Sequence, residues 1–75
     1  MAENTIRSEL AAAHRAVNAA LVRLPVTART QLDLSTNDLD RELDRALLAD
    51  DGARALAAIA SWRDHHLALI RRAAR

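Results

Sequence analysis

Apolar residues recur at Ile6, Leu10, Ala13, Val17, Ala20 and Leu24, at intervals of 4, 3, 4, 3 and 4. That spacing places all six on one stripe of an α-helix and predicts a first helix over residues 5–24. Asn4 or Thr5 offers an oxygen to the free amides at its start. Pro25 ends it, because proline has no N–H to donate and disfavours helical geometry at Leu24. Residues 26–34 alternate instead, with Val26, Ala28, Thr30, Leu32 and Leu34 on one face and Thr27, Arg29, Gln31 and Asp33 on the other. This pattern suits a short strand. A lone strand has no partner in so short a helical chain, so a linker over 25–35 with Leu32 and Leu34 tucked against the helices explains it equally well.

Helical spacing then returns. Ser35, Thr36, Asn37 and Asp38 are a dense group of capping residues, and Leu39, Leu43, Ala46 and Leu47 follow as one stripe, which predicts a second helix over 36–49. Asp50, Asp51 and Gly52 supply a left-handed stop and a cap for the next helix. A third helix over 53–74 carries Leu56, Ile59, Ala60, Leu67, Ile70 and Ala74, with Trp62, His66 and Leu69 widening the face. Arg71, Arg72 and Arg75 stand at its C-terminal end, where the helix dipole favours positive charge. Gly52 either separates the second and third helices or lets them run on as one. The elements define an all-α fold in a single domain over 1–75: a small three-helix bundle, or a helical hairpin with an extra N-terminal helix.

Composition makes this fold thinly packed. Of 75 residues, 18 are Ala, and the large apolar side chains number 20: 12 Leu, three Ile, three Val, Met1 and Trp62. There is no Cys to form a disulfide, and Trp62 is the only aromatic apart from the histidines. A chain of this length is near the lower limit for one self-sufficient core, so extra buried area is expected from self-association, as a homodimer, or from another protein. All 11 basic residues are Arg, which fits the codon usage of a GC-rich bacterial genome. The N-terminus lacks the pattern of a secretory signal and no apolar run approaches a membrane span, so a cytoplasmic protein without a membrane partner is expected.

Charge is unevenly placed. Residues 1–30 carry +2, residues 31–52 carry −5 and residues 53–75 carry +4. An acidic second helix between two basic ones suits packing with complementary rims, within the chain or between copies.

Candidate chemistry is sparse. His14, His65 and His66 are the obvious metal-ligand types, but His65 and His66 point about 100° apart on a helix, and no other ligand stands three or four residues from either. Ser8, Ser35 and Thr36 are explained by helix termini, and Ser61 by helix surface. The acids Asp38, Asp40, Glu42 and Asp44 read as a solvated face, and no Gly-rich phosphate loop is present. Neither an enzyme, a cofactor nor a bound metal is expected.

Two functional readings follow. The first is a non-catalytic helical interaction module: an adaptor, chaperone-like subunit or regulator. Its contact with a second chain is expected on Ile59, Trp62, His66, Leu69 and Ile70, because the face of the third helix is wider than one packing seam requires. Trp62, the one aromatic midway along this helix, is either the principal core anchor, the reading its isolation favours, or the anchor of that contact. The second reading comes from the outline of residues 29–70, which resembles a ribbon-helix-helix protein. The strand would be Arg29 to Leu34, followed by helices from Asn37 and from Ala53. The resemblance implies a dimeric DNA-binding regulator with Arg29, Gln31 and Asp33 in the major groove, where Asp33 would repel phosphate.

Overall fold

The computed structural model describes residues 2–33 and 37–74, and among these the only regular elements are helices: α1 Ala2–Leu21, α2 Val26–Gln31, α3 Asn37–Leu48 and α4 Gly52–Ala73. α1 and α3 each pack along α4. Ile6 and Leu10 lie near Ala55, His14 against Trp62 and Val17 with Ile70, so α1 runs parallel to α4, whereas contacts joining 42 to 54 and 40 to 62 fold α3 back on α4 as an antiparallel hairpin. The Cα radius of gyration, 13.4 Å, exceeds the roughly 11 Å typical of a compact chain of this length. The chain extends 40 Å along its longest axis, set by the two long helices. No helix among the described residues is long and apolar enough to cross a membrane.

α1 stops at Leu21, three residues before the predicted end. Its last turn tightens, with Arg23 N–H donating to Ala20 O at 3.3 Å and Leu24 N–H to Leu21 O at 3.1 Å. Leu24 leaves the helix as Pro25 requires, and its side chain turns inward to be buried with Val17 and Ile70.

The segment after Pro25 corrects the sequence reading. Residues 26–31 are helical, forming neither a strand nor an extended linker. Pro25, at ψ 151°, stands as the cap residue, and its carbonyl accepts the first helical bond from Arg29 N–H at 3.0 Å. Thr30 Oγ1 donates to Thr27 O at 2.9 Å, which satisfies a hydroxyl that in a strand would face a neighbour. Ala28 and Leu32 share a face in an alternating pattern, but they are also four apart, and both pack against the Val17, Leu24 and Ile70 cluster. Arg29 and Gln31 thus lie on a short exposed helix, without the strand that the ribbon-helix-helix resemblance needs. Asp33 follows in exposed coil, and Leu34 to Thr36, with the predicted capping residues Ser35 and Thr36, lie outside the described residues.

The turn between α3 and α4 settles the question about Gly52: the helices are separate, and Gly52 is the first residue of α4. The left-handed position is Asp50, at φ 54°. Asp51 N–H donates to Ala46 O at 3.4 Å and Asp50 N–H to Leu47 O at 3.3 Å, the paired bonds of a Schellman stop. Asp51 then caps α4, its Oδ1 accepting from Arg54 N–H at 3.1 Å.

The core is small. Its buried apolar members are Ala13, Val17, Leu24, Ala46, Ala55, Ala58, Ile59 and Ile70, half of them alanines. Of the described leucines only Leu24 is buried, whereas Leu47, Leu48 and Leu56 are exposed. Ala28 of α2 and Leu32 just after it pack against Val17, Leu24 and Ile70 at the C-terminal ends of α1 and α4.

Candidate interaction surface

At the opposite end, where α1 starts, α3 stops and α4 starts, no described element plays the part of α2. A groove of about 320 Å³ opens there. Ile6, Arg7 and Leu10 of α1 line one wall, Ala46 and Leu47 of α3 with Asp50 and Asp51 of the turn line the other, and Ala55 of α4 contributes between them. Ala46 and Ala55 are buried, so two methyl groups at the helix seams leave the space that larger side chains would fill. Leu47 is 41% exposed, and the next residue, Leu48, is 87% exposed. Two adjacent residues on a helix point about 100° apart, so Leu47 turns toward the groove while Leu48 projects into solvent beside it.

Charge on this surface is divided. Arg7 stands on the α1 wall, Asp50 and Asp51 on the other, and no ion pair joins them. The α3 wall is braced from behind by Glu42 and Arg54: Arg54 Nε donates to Glu42 Oε1 at 2.7 Å and Nη2 to Oε2 at 3.1 Å. This two-point pairing holds the Glu42 carboxylate below the usual carboxylate range, first through the hydrogen bonds from Arg54 and then through its charge.

Trp62 ties the three long helices together midway along α4. Its ring lies 4.7 Å from that of His14 on α1, edge to face at 61°, and 4.2 Å from that of His66 on α4. Its Nε1–H donates to Asp40 Oδ1 on α3 at 3.1 Å. A carbonyl oxygen only accepts, so His66 Nδ1, 2.7 Å from Trp62 O, carries a proton, as does His14 Nδ1, 3.1 Å from Leu10 O. Among the described residues no group of ligand-type side chains could hold a metal ion.

The five residues expected to meet a second chain divide. Ile59, His66 and Ile70 are buried by the chain's own helices, and Trp62 and Leu69 are half-buried. The width of the α4 face is used within the chain, because α4 lies against α1 on one side and α3 on the other and needs two seams. The accessible large apolar side chains are instead Leu47, Leu48 and Leu56 on the hairpin, with Val22 and Val26 at the α1–α2 corner. One signal for Leu48 was available in the sequence: Leu47 and Leu48 close a helix whose stripe accounts for only the first of them.

Comparison with known proteins returns no match to a family model, a curated protein or a solved structure.

Proposed function

We propose that this chain is a non-catalytic protein-interaction module that docks an apolar segment of a protein chain in the groove between α1 and α3. The observation that carries the reading is the contrast between the two ends of the bundle. At one end Ala28 of α2 and Leu32 just after it pack on Val17, Leu24 and Ile70. The other has a groove lined by Ile6, Leu10 and Leu47, with Leu48 exposed beside it. Exposed apolar area of this kind, rimmed by charge, is characteristic of surfaces that other proteins cover. The alanine-rich core supports the same conclusion, since half of its buried apolar members are alanines while Leu47 and Leu48 stand exposed beside the groove.

A photo-crosslinking side chain at position 48 tests the reading in cells that naturally express the protein. Adducts with protein chains are expected, and they should disappear when Arg7→Glu is added on the opposite wall. Absence of adducts, or adducts indifferent to the groove, would refute it. The DNA-binding reading has less support, because Arg29 and Gln31 stand on a six-residue helix.

A further inference from the structure

Resting on that reading of the groove, we infer that its occupant is the Leu47–Leu48 corner of a second copy of this chain, the two copies being related by a twofold axis along the groove. The first reason is shape. The chain carries a projection, Leu48 at 87% exposure, directly beside a depression lined by Ile6, Leu10 and Leu47. A twofold contact requires one patch to complement itself, and an adjacent knob and hole meet that requirement twice per interface.

The second reason is charge. Rotation about an axis along the groove carries the α1 wall of one copy over the α3 wall of the other. Arg7 of each copy then faces Asp50 and Asp51 of its mate, and Leu48 of each meets Ile6 and Leu10 of its mate. Arg7 has no ion-pair partner among the described residues, and Asp50 has none either. A uniformly acidic partner would meet Asp50 and Asp51 unfavourably, and a uniformly basic one would meet Arg7. A copy of the same chain presents the opposite sign to both walls at once. The third reason is need: half the buried apolar core is alanine, so the monomer leaves leucine surface that a second copy can cover.

Sedimentation equilibrium of the full chain at micromolar concentration tests the inference, with Leu48→Asp, Arg7→Glu and Val22→Asp beside the wild type. The wild type should sediment as a dimer. Leu48→Asp should be monomeric with wild-type helical content, since residue 48 contributes almost nothing to the monomer's interior. Arg7→Glu should raise the dissociation constant by about tenfold or more, because repulsion replaces attraction at two symmetry-related places. Val22→Asp, just beyond the far end of α1 and 66% exposed, should leave the dimer intact. A monomeric wild type, a dimeric Leu48→Asp or a dissociated Val22→Asp would each overturn the inference. Crosslinks from position 48 to other proteins, with a monomeric wild type, would overturn the self-pairing alone; the loss of all groove-dependent crosslinks would overturn the docking reading with it.

Discussion

Truncating Trp62 tests whether one side chain holds the three long helices in register. Its indole lies between His14, edge to face, and His66, and donates to Asp40, so Trp62→Ala removes contacts from α1 and α3 together. Trp truncation in a core costs about 3 to 5 kcal/mol, and the ring here is half-buried, so a loss of about 3 kcal/mol is expected. A chain of this size has a total stability of roughly 4 to 11 kcal/mol, so the loss is a large fraction of the whole. Trp62→Phe separates the two contributions, because it keeps a ring between the histidines and deletes the N–H. It should cost about 1 kcal/mol, the usual net value of one hydrogen bond. Asp40→Ala should cost a similar amount alone and almost nothing in the Trp62→Phe background, a coupling that a double-mutant cycle reads directly. Urea unfolding followed by far-ultraviolet circular dichroism supplies the stabilities of the wild type and the four variants. A Trp62→Ala loss below about 1 kcal/mol would refute the account of Trp62 as the tie between helices, given the range for buried aromatic truncation. Strict additivity of Trp62→Phe and Asp40→Ala would refute the hydrogen bond.

The α3–α4 turn is open to improvement: Asp50→Gly relieves a left-handed non-glycine residue. Gly52→Ala adds a methyl group that meets nothing within 4 Å at the first position of a helix. Each should raise stability by about 0.5 to 1 kcal/mol in thermal unfolding. The Glu42 carboxyl should titrate below the ordinary glutamate value by carbon-detected nuclear magnetic resonance, and Arg54→Gln should raise it toward that value, with the charge of Arg45 still acting on it. Because the folded value is the depressed one, the stabilisation is fully present at neutral pH, above the unfolded value, and is lost as pH falls through the folded value. Added zinc should leave the melting temperature unchanged, since His65 and His66 diverge on α4 and no described ligand cluster joins them to His14; an upward shift of several degrees would reveal a site formed between chains.

The long helices were legible because their signals are redundant. In α1 and α4 the apolar spacing, the absence of internal Pro and Gly, and the flanking breakers agree with one another. The segment after Pro25 was not, because six residues are too few to tell period 2 from period 3.6 when the apolar positions are 26, 28 and 32. Alternation and a helical i, i+4 pair both fit. Packing decided the matter: as a helix the segment sets Ala28 and Leu32 on the end of the core while satisfying its own backbone. The turn was legible in kind but not in detail. Asp50, Asp51 and Gly52 together signalled a left-handed stop and a cap without dividing the roles; Asp50 holds the left-handed conformation, since the capping of α4 by Asp51 fixes where the new helix begins and Gly52 falls inside it.

The candidate site was harder to read for a different reason. A hydrophobic stripe states that a face is covered without stating by what, and the broad face of α4 fits a second chain as well as a second intramolecular neighbour. The discriminating quantity is side-chain size across the seams, which depends on which helices meet. Where α4 meets α1 and α3 near its start, the buried positions are Ala46 and Ala55, and small residues bring helices close without filling the space around them. Where α4 meets α1 near its end, Val17, Leu24 and Ile70 fill the seam, with Ala28 and Leu32 packed against them. The same alanine enrichment that marks the composition as helical therefore has two consequences. It allows three helices to pack with little apolar bulk, and it leaves the seam beside Ala46 and Ala55 unfilled at the end of the bundle where Leu47 and Leu48 are surface.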